Sequence, residues 1–229
     1  MTIVKPIQIE VANQAFEAWD HLGVSGRAEC LEQAIFSLSH TQASMARWQI
    51  ENAKHEIGED LLMPGPTGES NTLSTHGRGA FLIAVQSSLS GDNLSVGLIG
   101  QVFAALIAGN PIITVGPEGQ AIMDQMSKYV PEGIIQNVAE SAQESIIDAT
   151  DLAGVAIICD ADRAKHLNKQ LAQKSGLLCQ LVEETNVQAL TTIAAPHYIL
   201  RFVTEQTVSN NTTAIGGNAT LLELGSKAE

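Results

Sequence analysis

The side chains able to do chemistry are few, and their spacing is poor for it. Cys30, Cys159 and Cys179 form no CxxC pair, and none stands at metal-ligand spacing from a histidine, so no metal site is predicted. A thiol nucleophile needs a neighbouring base or an electropositive setting. Cys159 and Cys179 lie inside apolar runs, while Cys30 has Glu29 and Glu32 beside it, which raise a thiol pKa; all three read as structural. His76 follows a stretch rich in Pro and Gly, but no carboxylate is tied to it by spacing. The serine-rich turn Gln86-Ser-Ser-Leu-Ser-Gly91 could offer backbone N–H groups to a phosphate, yet no GxGxxG and no Gly-Lys-Ser/Thr accompanies it, so it reads as a helix cap. Gly97 and Gly100 read as a close-packing device on a helix, and Asp160, Asp162 and Arg163 as the start of another, where acids suit the helix dipole. No catalytic residue is predicted.

Composition narrows the partners. Asp and Glu number 25 against 12 Lys and Arg, a formal charge of −13, which argues against a nucleic-acid binder because phosphates are neutralised by clustered positive charge. With 45% apolar and only 16% charged residues the chain can bury a core, and at 4% aromatic that core must be built from aliphatic side chains. No apolar run approaches the roughly 20 residues that span a bilayer. The first residues lack the apolar core of a secretory signal, so a reducing, cytoplasmic setting is expected, and Asn93, Asn211 and Asn218 carry no glycosylation meaning despite their Asn-x-Ser/Thr pattern.

The elements that must position these residues follow from periodicity. Residues 9–21 and 27–57 read as an antiparallel helical pair, split by Gly23-Val-Ser-Gly26. Met63-Pro-Gly-Pro-Thr-Gly-Glu-Ser-Asn71 reads as a loop without regular structure. Apolar runs at 80–85, 112–115, 134–138, 155–159 and 177–182 then alternate with helices at 95–108, 118–129, 140–149 and 161–174, the pattern of βαβ units in a parallel sheet. After Pro196 the chain reads as extended, at 198–204 and 207–213, with a last apolar stretch at 220–224. This suggests a β-arm whose exposed edges pair with another chain. The expected fold is therefore α/β, Rossmann-like and doubly wound, divided as 1–60 helical segment, 61–195 α/β domain and 196–229 β-arm.

Specific strings carry a resemblance. Met63-Pro-Gly-Pro-Thr-Gly-Glu-Ser-Asn-Thr72, Phe103-Ala-Ala-Leu-Ile-Ala-Gly-Asn110, Ala153-Gly-Val-Ala-Ile-Ile-Cys-Asp-Ala-Asp162 and Val208-Ser-Asn-Asn-Thr-Thr-Ala-Ile-Gly-Gly-Asn-Ala-Thr-Leu-Leu222 resemble, in order, the C-terminal domain of the proline utilisation A family. The match runs over about residues 60–225. That domain is similar to the nucleotide-binding domain and oligomerisation flap of aldehyde dehydrogenases, without a catalytic site of its own. In the family it packs on the 1-pyrroline-5-carboxylate dehydrogenase domain and helps cover the passage between the two active sites.

The resemblance implies a vestigial nucleotide region at Ser88, Gly91, Gly109, Asn110 and Pro117. NAD binding is not expected, because Thr114-Val-Gly-Pro117 lacks the lysine that contacts the adenosine ribose in active aldehyde dehydrogenases. The segments bearing the catalytic cysteine and the general-base glutamate are absent too. The family domain is the tail of a much longer chain, whereas this one opens on its own Met1. The expectation is a stand-alone accessory subunit that docks on a proline utilisation A enzyme lacking this tail, with Tyr198, Leu200, Phe202, Asn211, Thr212, Gly216, Gly217 and Asn218 at the interface. The rival expectations are a small NAD(P)-binding oxidoreductase, suggested by the wound sheet, and a structural homodimer whose arm pairs with its twin.

Overall fold

In the computed structural model, which describes residues 6–212, five parallel strands form one sheet: β3 (Phe81–Val85), β4 (Ile112–Val115), β5 (Ile135–Val138), β6 (Gly154–Ile158) and β7 (Gln180–Glu184). Their order across the sheet is β5-β4-β3-β6-β7. The chain winds outward from β3 to β5, then returns to β6 on the other side of β3, which is the doubly wound arrangement. Both faces of the central strands β3, β4 and β6 are covered, so these read as nearly continuous apolar runs, whereas the outer strands β5 and β7 are half polar. Phe81, Ile83 and Ile112 point into one core, whereas Leu82, Ala84 and Ile113 point into the other.

The first core lies under α2 (Gly23–Ile35), α3 (His40–Ile57), α4 (Leu94–Ile107) and α5 (Gly116–Met126). The second contains Ile9 and Ala12 of α1 (Ile7–Asp20), Ile146 and Ile147 of α6 (Gln143–Ile147), and Leu167 and Leu171 of α7 (Ala161–Ala172). Helix α4 is buried without interruption from Gly97 to Ile107, because it lies between the sheet and α3. Its two glycines act as the spacing suggests. A Cβ on Gly97 would meet Ile158 Cδ1 at 2.7 Å, and one on Gly100 would meet Ile193 Cγ2 at 2.5 Å.

Three sequence expectations change. The helical pair is three helices, since Ser39 closes a capping box with Gln42 and starts α3 afresh after α2 has ended at Ile35. The Pro/Gly stretch holds strands as well as a turn: β1 (Leu61–Met63) pairs antiparallel with β2 (Glu69–Gly77), Leu61 opposite Leu73 and Met63 opposite Asn71. Residues 198–204 are mostly not extended. Pro196–Phe202 is a 3-10 helix with Tyr198 and Phe202 buried in the first core, Phe202 against Phe81 at 5.1 Å between ring centroids, and only from Val203 does a strand, β8 (Val203–Asn211), begin. An apolar run that alternates poorly fits a buried helical turn as well as a strand, and here packing decides.

The chain divides into two compact units, one of residues up to 58 together with 77–203, the other of residues 59–76 together with those from 204. The N-terminal helices thus share a unit with the parallel sheet instead of standing apart. The second unit contains the sheet β1-β2-β8, in which Ser209 Oγ donates to Asn71 Oδ1 at 2.5 Å and the Thr212 N–H donates to the Gly68 carbonyl at 2.6 Å.

Asn110 uses its whole side-chain amide. Nδ2 donates to the carbonyls of Ala105 (3.1 Å) and Phe202 (2.9 Å), and Oδ1 accepts from the N–H groups of Arg78 (2.7 Å) and Gly79 (3.1 Å). Asn110→Ala is expected to lower the unfolding free energy by about 3 kcal/mol, since buried groups lose their partners. Urea denaturation measures this, and a loss below about 1 kcal/mol would show that the neighbouring groups find other partners.

On the second face Glu144 joins α6 to α7, accepting from Arg163 Nη2 at 2.5 Å and from Gln170 Nε2 at 3.2 Å. Burial opposes ionisation of Glu144, but the hydrogen bonds from Arg163 and Gln170 outweigh it and hold its pKa below the usual carboxylate value. A carboxylate depressed in this way stabilises the fold above its unfolded pKa of about 4.3, and that contribution is lost as pH falls through the lower folded value. Glu144→Gln should therefore shift the urea midpoint downward at neutral pH and much less at about pH 3; equal shifts at both would exclude the ionised pair as the cause.

Candidate functional site

In doubly wound sheets ligands bind outside the carboxyl ends of the strands where the winding reverses, here between β3 and β6. A crevice of about 710 Å³ opens at that end. Its floor is apolar, from Ile83, Val85, Leu98, Ile99, Ile122 and Ile157, since strands and helices covered on both sides leave only aliphatic side chains beneath it. Its rim comes from the β3–α4 connection, the first turn of α5, residues 140–144 and Arg163 of α7.

The reversal point itself is bridged. Gln86, the residue after β3, donates from Nε2 to Asp160 Oδ2 at 2.7 Å and to Ser88 Oγ at 2.9 Å, and its Oε1 accepts from the Asp160 N–H at 3.0 Å. Asp160 also caps α7 by accepting from the Arg163 N–H at 2.8 Å. That backbone bond, followed by the Gln86 bond, holds the Asp160 carboxyl below the usual range. An ionised carboxylate therefore stands at the reversal point.

The rim adds to this sign. Glu118, Glu140 and Glu144 line the crevice against one cation, Arg163, whose guanidinium is already engaged by Glu144. The serine-rich turn does not cap α4. Asn93 occupies the cap position without a side-chain cap bond, and its Nδ2 donates to the Gln188 carbonyl at 2.7 Å.

The five residues assigned to a vestigial nucleotide region separate in space. Gly91 lines the crevice, Ser88 sits at its mouth through Gln86, and Pro117 lies in the first turn of α5 beside a shallow depression lined by Gln120, Asn137 and Glu140. Gly109 and Asn110 precede β4 and so lie at the amino end of the sheet, where they serve packing. Sequence reasoning missed Gln86, Glu118 and Glu144; their position just after strands or at helix starts was the available signal. It also missed Glu184, buried at the end of β7, whose carboxylate accepts from the N–H groups of Asn186, Thr192 and Ile193 and shapes the following connection.

The thiols are not poised for catalysis. Burial, with smaller contributions from Asp160 and Glu183, pushes Cys159 up to about 11, and burial likewise raises Cys179. Cys30 is half-buried against the first core. Among the described residues no cluster of His, Cys, Asp or Glu suits a metal ion. His76 Nε2 lies 3.3 Å from Ser74 Oγ on β2.

Of the proposed interface residues, Tyr198 and Phe202 are buried, so neither side chain can meet a partner. Leu200, Asn211 and Thr212 are exposed, while Gly216, Gly217 and Asn218, like the apolar stretch 220–224, lie outside the described residues. The sheet β1-β2-β8 presents apolar side chains that sequence reasoning did not single out: Leu61, Leu62, Met63 and Val208 are all exposed, Leu62 at 77%. No helix of the described residues is long and apolar enough to cross a membrane.

No protein-family model matches the chain. The bifunctional protein PutA of Rhizobium meliloti is 30% identical over 185 residues, which is 79% of this chain and 14% of that protein. PutA of Escherichia coli K12 is 26% identical over 170 residues, 74% of this chain and 12% of that protein. The chain thus spans about a seventh of the length of these relatives. Among solved structures, proline utilization A with proline bound in remote sites superposes with a TM-score of 0.68 at 25% identity, covering 79% of this chain and 22% of that one. An NAD-dependent benzaldehyde dehydrogenase from Corynebacterium glutamicum shares the fold, with a TM-score of 0.60 at 15% identity over 77% of this chain and 44% of that one. The resemblance to proline utilisation A is borne out: this chain is homologous to one domain-sized part of proline utilisation A and has the aldehyde dehydrogenase-type fold.

Proposed function

We propose that this chain is a non-catalytic accessory domain of proline catabolism, which docks on a 1-pyrroline-5-carboxylate dehydrogenase of the proline utilisation A type and helps cover its substrate-channelling cavity. The observation that carries this reading is the sheet β1-β2-β8. Its outer strands β1 and β8 each have one neighbour among the described residues, and Leu61, Leu62, Met63 and Val208 are turned to solvent on them. Open strand edges with exposed apolar side chains are a liability unless another chain covers them. Homology to one part of a bifunctional enzyme supplies the partner's class, and the buried, protonated Cys159 supports the absence of independent catalysis.

The test is to mix the chain with a proline utilisation A enzyme from which the equivalent segment has been removed. Co-elution and a gain in 1-pyrroline-5-carboxylate dehydrogenase activity or channelling are expected, and Leu62→Asp with Val208→Asp should weaken the complex by roughly ten-fold or more. Absence of both association and any change in activity would sink the proposal. The same exposed edges favour a second reading, a homodimer, which light scattering on the chain alone separates by mass.

NAD is not part of this proposal, because the acid-lined reversal point disfavours a pyrophosphate. Thermal unfolding with NAD at concentrations up to about a millimolar is expected to show no saturable stabilisation, whereas a native-state ligand would raise the midpoint by mass action. A saturable rise would instead favour the oxidoreductase alternative.

A further inference from the structure

The crevice between β3 and β6 retains the dimensions of a ligand site although its charges are wrong for a dinucleotide. A volume of about 710 Å³ falls within the roughly 300–1,000 Å³ of small-molecule pockets. Beneath the rim, Ile83, Leu98, Ile122 and Ile157 offer an apolar floor suited to a hydrocarbon or aromatic body. The lining holds three carboxylates, Glu118, Glu140 and Glu144, and one guanidinium, that of Arg163, a formal charge of 1 − 3 = −2. Arg163 is engaged by Glu144, which leaves no cation of the lining to receive an anion. Asp160, beside the lining through Gln86, adds a further ionised carboxylate.

We propose that this crevice binds a small amphiphilic organic cation, an apolar body of a few carbons to one ring bearing a primary ammonium group. The body fills the aliphatic floor, and the ammonium lies beside Glu118 and Glu140, the two carboxylates of the lining that Arg163 does not engage. Charge complementarity selects the class: an anion of the same shape meets repulsion from every unpaired charge of the rim, and a neutral molecule gains nothing from it. The volume of the crevice suits one small molecule better than a segment of folded protein. The crevice shares no residue with the strands invoked for docking, so the two proposals stand or fall independently.

Titration of the full chain with 2-phenylethylamine, followed by calorimetry and thermal unfolding, tests this against 3-phenylpropionate, 2-phenylethanol and NAD. The amine is expected to bind saturably and to raise the unfolding midpoint, with affinity falling several-fold as salt rises from about 50 to about 500 mM. Glu118→Gln with Glu140→Gln should weaken it roughly five-fold, both positions being solvent-exposed so that folding is preserved. Ala121→Trp, an exposed position on the α5 wall, should block the crevice and abolish binding without regard to charge. No saturable binding of the amine, equal binding of the carboxylate or the alcohol, or amine binding unchanged in the glutamine or tryptophan variants would each overturn the proposal.

Discussion

The last carbonyl groups of a helix have no partner inside it, and the end of α4 is buried, so those groups must be satisfied from elsewhere. Three side chains help to do so: Trp19 Nε1 donates to the Leu106 carbonyl at 3.0 Å, Arg27 Nε to Ile107 at 2.9 Å, and Asn110 Nδ2 to Ala105 at 3.1 Å. Arg27 is only 3% exposed, and burial lowers its pKa to about 10, which still leaves it charged at neutral pH. The negative end of α4 and Asp20 Oδ1, 3.8 Å away, offset that cost. Asp20 in turn accepts from the Gly77 N–H at 2.8 Å, and Gly109, at φ +97°, leaves the room that Asp20 needs, since a Cβ there would lie 2.5 Å from Oδ1. The N-terminal helices are thereby tied to the central helix of the sheet domain. The same knot uses up Gly109 and Asn110, which the resemblance had associated with a nucleotide region.

At the other end of the sheet the topology of a nucleotide-binding fold persists under different chemistry. Gln86 and Asp160 close a reciprocal pair across the reversal point, and the crevice wall is acidic where a phosphate site would need N–H groups and cations. Burial raises the pKa of the Cys159 and Cys179 thiols. The architecture is shared with an aldehyde dehydrogenase, while Gln86, Asp160, Gly109 and Asn110 are engaged in contacts that hold the fold.

Legibility differed by the kind of signal. The central strands β3, β4 and β6 were readable because continuous apolar runs have one economical arrangement, covered on both faces, whereas the run 177–182 was misplaced: the strand is Gln180–Glu184, and Leu177 and Leu178 are exposed. The run 198–204 was not readable, because Tyr198 and Phe202 satisfy the same apolar pattern in a 3-10 helix; their packing on Phe81 favours it. Strand β2 escaped notice because its polar residues 69–72 pair with β1 and β8 instead of entering a core. Ser39 was legible in principle as a capping-box start, yet the longer apolar period of 27–57 concealed it.

By itself the sequence determined the α/β class, the low positive charge and the relationship to proline utilisation A. Those properties reside in composition, local periodicity and contiguous strings. Tertiary structure alone decided which acids line one crevice, that Gly109 and Asn110 serve packing, and which apolar side chains remain outside. Those depend on contacts between residues far apart in the chain, such as Gln86 with Asp160 and Asn110 with Phe202, which no local pattern encodes.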